Sequence, residues 1–208
     1  MSNQTLFEEK LNTISHAIGA VLGVVALLLL VKYNSNKTAW SLFSVVVYGL
    51  SIIFLFAASA LYHFIKNEKQ KHYFRIADHI GIYLLIAGTY TPVCLIALEQ
   101  SLGWVLFLCV WGIAVFGVFL KLFFTGKFEL FSTLLYLAMG WLIVLDFLNL
   151  SAIINNEGVL LLFAGGLAYT VGIIFYAINK IPFNHVIWHL FVLAGAVFHF
   201  CMIFFFVI

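Results

Sequence analysis

Residues 102–124 read LGWVLFLCVWGIAVFGVFLKLFF. These 23 positions carry one charge, Lys121, and a membrane-crossing helix needs about 20 mostly apolar residues. The flanking sequence repeats the pattern. Polar breaks (YNSNK, IKNEKQKHYF, EQS, TGK, LNLSAIINNEG and NKIPFN) divide the chain into seven predicted spans, roughly 14–33, 39–65, 74–98, 102–124, 128–149, 157–179 and 185–207. Seven spans use roughly 140 positions, which leaves no room for a soluble domain among 208 residues. The expected fold is therefore all-α: a polytopic seven-transmembrane helix bundle forming a single domain over residues 1–208.

Composition agrees. The chain is 65% apolar and 9% charged, against roughly 25% charge in soluble domains. A net charge of +2 is too sparse for a nucleic-acid surface, so no nucleic-acid partner is expected. Cys94, Cys109 and Cys201 show no CxxC or finger spacing and suggest neither a disulfide framework nor a thiolate metal site. Glu8 and Glu9 precede the first span where a signal peptide would be basic.

Seven spans put the N-terminus and the 2–3, 4–5 and 6–7 connections on one side. That side carries Lys10, Lys66, Lys69, Lys71, Arg75, Lys121, Lys127 and Lys180, and the other only Lys32 and Lys37. Eight basic residues against two predict a cytoplasmic N-terminus and an outside C-terminus. G-protein-coupled receptors run the opposite way. A retinal protein would need a lysine in its last span, and 185–207 contains none.

Polar residues from several spans collect at the predicted cytoplasmic side: His16, Ser59, His63, Asp78, His79, His185 and His189. His185 and His189 are i, i+4 and share a helix face, as do Ser59 and His63. Two imidazoles from span 7 and one from span 2 make a three-nitrogen site that suits Zn²⁺ with an open fourth position. There zinc would lower the pKa of a bound water toward neutrality. Asp78 would then serve as base or orienter of that water, and Ser59 as a hydrogen-bond donor beside it or to an oxyanion. Ionisable residues within spans are costly and usually functional, which weighs against a merely interfacial histidine pair. His72 reads as solvated, His79 as a helix-contact residue, and His199 as the maker of a buried hydrogen bond. Asp146 reads as snorkelling outward or as a lipid or ion contact. Gly19 and Gly23 suit close helix packing, and the end HFCMIFFF (199–206) reads as a lipid-facing surface.

Three separated pieces resemble the haemolysin III family, the bacterial branch of the progestin and adiponectin receptor (PAQR) superfamily. They are Glu9-x-x-Asn12-x-x-x-His16-x-x-Gly19, then Ser59-Ala-Leu-Tyr-His63 followed by Asp78 in ADHIGIYLLIAGTYTP, and His185-Val-Ile-Trp-His189 continuing LFVLAGAVFHF. The resemblance implies a seven-helix fold in the bacterial inner membrane with zinc held by His63, His185 and His189. Asp78 would contact the metal through water, with Ser59 nearby. Glu9, Asn12 and His16 match a signature whose implied role is structural, fastening the start of span 1 beneath the bundle. The superfamily implies a zinc-dependent hydrolase of lipid amides such as ceramides, and a part in membrane-lipid homeostasis. The alternative is a non-enzymatic lipid-sensing, homeostatic or cytolytic protein with structural zinc. Membrane lipid is the expected partner. With the first span starting near residue 14, no protein-hormone partner is expected. An ion transporter ranks last, since the spans lack Pro-broken helices and paired internal charges.

Overall fold

In the computed structural model, which describes residues 4–208, the chain turns helical where Thr5 caps it. The Thr5 hydroxyl accepts from the Glu8 amide at 3.2 Å, and the Glu8 carboxylate accepts from the Thr5 amide at 2.8 Å. This reciprocal pair satisfies two amides that helix geometry would leave orphaned. Seven α-helices follow: α1 (Leu6–Tyr33), α2 (Ser41–Phe64), α3 (Glu68–Pro92), α4 (Gly103–Phe124), α5 (Glu129–Trp141), α6 (Phe147–Ala177) and α7 (Asn184–Met202). Single π-helical stretches, Val93–Ala97 and Ile203–Val207, extend α3 and α7, and a 3₁₀ segment, Leu142–Asp146, joins α5 to α6. There is no strand among the described residues. Six helical stretches are long and apolar enough to cross a membrane. The protein is a multi-pass membrane protein.

The sequence reading and the helices part at several places, among them the start of α1 at Leu6 rather than near 14. Predicted spans 128–149 and 157–179 both lie in one 49-residue run, Glu129–Ala177. Asn155 interrupts this run with φ 52° and ψ −174°, and its Oδ1 accepts from the amides of Glu157 (2.9 Å) and Gly158 (3.2 Å). One capping residue thus does what was read as an eleven-residue polar break, LNLSAIINNEG. In addition, α3 begins at Glu68 rather than at 74, because Asn67 Oδ1 accepts the Gln70 amide at 3.1 Å and starts a turn inside the polar stretch. Finally, the Phe-rich end is only partly lipid-facing. Met202, Ile203 and Val207 are buried while Phe205 is exposed, since the π turn re-aims this stretch.

Without water to drive helices together in lipid, close packing depends on small residues at the contacts. A Cβ on Gly19 would lie 2.5 Å from Phe56 Cδ1, and one on Gly23 would lie 2.8 Å from Ile52 Cγ2, so both glycines let α1 lie directly against α2. Outside the bundle, Phe123, Leu130, Leu148 and Leu160 are exposed, as a lipid-facing belt requires.

Contacts between helix ends divide the bundle into two faces. At the face holding the N-terminus, Glu9 at the start of α1 meets His63 at the end of α2 and Lys71 at the start of α3. Lys121 at the end of α4 meets Glu129 at the start of α5, and Phe7 meets Phe183 just before α7. At the opposite face, Lys37 donates to the Val207 carbonyl and Thr38 to that of Leu95. Asp146 is buried there rather than snorkelling. It accepts from Ser101 Oγ (2.6 Å), the Leu102 amide (3.0 Å) and Asn149 Nδ2 (2.7 Å), so its oxygens are used up in capping the turn into α4.

Candidate metal centre

At the N-terminal face, α2 ends and α7 begins side by side. One ligand nitrogen each from His63, His185 and His189 lies within 4.8 Å of the others. Ring centroids are 4.6 Å apart for His185 and His189, 4.9 Å for His63 and His189, and 5.1 Å for His63 and His185. The i, i+4 spacing stacks the two α7 rings on one face, and His63 arrives from α2 to close the triangle. His63 and His189 are buried, His185 partly so.

Hydrogen bonding tests whether the group suits a cation. His63 Nδ1 lies 2.6 Å from Glu9 Oε2, so the nitrogen available to an ion is Nε2. That Nε2 and Nδ1 of His189 are buried with no hydrogen-bond partner among the described residues. Orphaned polar atoms are uncommon in native interiors, and the triad holds two of them. Tetrahedral zinc at Zn–N of about 2.0–2.1 Å sets ligand nitrogens roughly 3.3 Å apart. The residues fit zinc.

Around the triad, the remaining sequence-predicted residues take different places. Ser59, one turn before His63, is fully buried with an unpartnered Oγ. Asp78 stands outside the triad, and its short contact is with the neighbouring His79 Nδ1 at 3.7 Å. His79 turns away from the triad. Its Nδ1 lies 2.7 Å from the Arg75 carbonyl, and its Nε2 lies 3.8 Å from Glu129 Oε2. His199 bonds the Leu162 carbonyl at 3.2 Å, and His72 is exposed.

Glu9, Asn12 and His16 do more than fasten α1. Glu9 bridges His63 and Lys71, the latter at 2.7 Å. The His16 ring stacks on His189 at 3.6 Å and 11°, and both its nitrogens are buried without a partner among the described residues. Asn12, between them on the same helix face, is fully buried. The signal for this lay in the i, i+3, i+7 spacing of the three, which puts them on one side of α1. Which neighbour that side would meet was not written in it.

A model of the "Haemolysin-III related" family matches residues 4–200. The chain belongs to the haemolysin III-related family. Among similar proteins, "Hemolysin-3" of Bacillus cereus is 46% identical, over 99% of this chain and 95% of that one. The "Hemolysin-3 homolog" of Bacillus subtilis is 44% identical, over 97% and 95%. The human "Monocyte to macrophage differentiation factor" is 29% identical, over 94% and 83%. These relatives span the triad and the α1 face alike, so the haemolysin III-related fold is matched as a whole rather than in one motif.

Proposed function

We propose that this haemolysin III-related protein is a zinc-dependent hydrolase of lipid amides in the bacterial inner membrane. In this reading Asn155 separates the fifth and sixth of seven spans. The excess of lysines at the triad's face supports a cytoplasmic N-terminus and an outside C-terminus. The observation that carries the reading is the convergence of three imidazoles, two with orphaned buried nitrogens, at one end of a lipid-embedded bundle.

His63, His185 and His189 hold the metal. Bound zinc supplies Lewis acidity and a water of near-neutral pKa. Asp78, which stands outside the triad, would take up a proton from the attacking water on its carboxylate. Ser59 Oγ, buried with no other partner, donates to negative charge developing on a substrate carbonyl. A cavity of about 280 Å³ between α3, α5, α6 and α7 is lined almost wholly by carbon. Tyr176 lines it, and the Tyr176 ring lies 6.3 Å from that of His185. An acyl chain in this cavity would therefore lead toward the triad from within the bundle.

Purified protein tests the proposal through its metal content and through fatty acid released from lipid amides, with and without chelator. About one zinc per chain, and turnover lost with the metal, is the expected result. Metal-free protein that hydrolyses at the normal rate overturns it. The Bacillus relatives' name favours a second reading, a cytolytic or homeostatic protein whose zinc is structural. Under that reading zinc raises thermal stability and no lipid is turned over.

A further inference from the structure

We infer that Glu9 is a positioning residue for the metal centre, fixing which nitrogen of His63 faces the ion. The inference rests on the metal reading above. An imidazole presents only one nitrogen to a metal, and the hydrogen bond made by the other decides which. Glu9 Oε2 lies 2.6 Å from His63 Nδ1. A neutral His63 thus donates Nδ1–H to the carboxylate and keeps the lone pair on Nε2, the buried atom without a partner. The bland alternative is a contact of Glu9 with His63 that merely straps α1 to α2, and it leaves the buried Nε2 without a partner among the described residues.

Glu9 is itself immobilised. Its other oxygen accepts from Lys71 Nζ at 2.7 Å, and its backbone carbonyl accepts from Thr13 Oγ1 at 2.8 Å. Two turns along the same face, His16 lies flat against His189. Helix α1 therefore braces two of the three candidate ligands, one by a charged hydrogen bond and one by ring contact. Among the described residues, His63 is the triad member paired with a carboxylate, so the prediction falls on one residue.

The test uses the full chain in detergent, with Glu9→Gln and Glu9→Ala compared with wild type. Zinc affinity is read by competition with a chromogenic chelator, and the ligand field by the visible spectrum of cobalt-substituted protein. Glu9→Gln keeps an acceptor and should weaken zinc about 10-fold, while Glu9→Ala should approach about 100-fold, each with a shifted cobalt spectrum. Melting of the metal-free proteins monitors folding, and the near-isosteric Gln variant guards against a collapse in Ala. If wild type holds zinc and both variants match its affinity, or lose only metal-free stability, the inference is overturned while the metal reading stands. If wild type holds no zinc, both fall.

Discussion

Two polar clusters sit at the same face of the bundle and differ in one respect. In the α3–α4–α5 cluster every charge has a partner. Lys121, fully buried, donates to Glu129 at 3.0 Å, Arg75 reaches the other Glu129 oxygen at 3.4 Å, and His79 Nε2 lies 3.8 Å from Glu129. The Tyr136 hydroxyl donates to the His79 carbonyl at 3.2 Å. In the α1–α2–α7 cluster, four imidazole nitrogens and the Ser59 hydroxyl are buried without partners. A polar network closed upon itself rigidifies a fold, whereas one left incomplete is costly unless something else completes it. The paired charges of the first cluster therefore make a clamp, and the second cluster is the receptacle of the proposed metal. Sequence alone offered the second as a layer of polar residues near one membrane surface, and gave Lys121 and Arg75 of the first only as basic residues on that side.

The largest expected effect separates them outright. His63→Ala or His189→Ala removes a candidate ligand, so the zinc bound per chain should fall from about one to near zero. The loss in affinity should exceed the roughly 100-fold ceiling for residues behind the ligands. Metal analysis of purified protein checks it. Zinc retained by both variants would mean that the receptacle holds something else.

Next in size is the clamp. Glu129→Gln leaves Lys121, with none of its side chain exposed, without its buried counter-charge, and should destabilise the bundle by roughly 3 kcal/mol. Lys121→Met is milder, because Glu129 keeps Arg75 and is one-third exposed (33%); a loss below about 1 kcal/mol is expected. Thermal unfolding in detergent reads both. Zinc affinity should stay within about three-fold of wild type in each, and a larger drop would show the two clusters to be one network. At the opposite face, Asp146→Ala removes the cap on the turn into α4. It should lower stability by about 1 kcal/mol, with Asp146→Ser recovering part of it.

These contrasts also mark how far the sequence could be read. Spans were legible because lipid demands long apolar runs, and the α7 pair because i, i+4 spacing is a property of one helix. His63 joined the pair through depth alone, since topology brings the end of α2 beside the start of α7. Contacts between helices were another matter. Glu9 and His63 stand 54 residues apart, and spacing says which residues share a face without saying what that face meets. Lys121 was counted as one of the basic residues on the cytoplasmic side, yet Glu129, eight residues on, draws it wholly inside. Asp146 at a span's end suits snorkelling or capping equally well, until Ser101 and Leu102 from another connection decide it. Asn155 escaped because one left-handed residue cannot be located within a polar stretch whose other members stay helical.

The smallest expected effect is the sharpest, because its sign should reverse. Ser59 Oγ is buried with no hydrogen-bond partner among the described residues, and an unsatisfied hydroxyl costs about 1 kcal/mol or more. In metal-free protein, Ser59→Ala removes that burden along with a single oxygen, so melting should be unchanged or slightly raised. If Ser59 belongs to the proposed zinc site, its hydroxyl gains a partner in zinc-loaded protein. There the same substitution should lower stability, by about 1 kcal/mol or less, and shrink the stabilisation that zinc confers by mass action. Paired melts of wild type and variant, each with zinc and with chelator, give four values whose interaction isolates this coupling. A drop of equal size in both conditions would make Ser59 a packing residue of α2 and detach it from the receptacle. A reversal would tie it to the triad without any need to know the substrate.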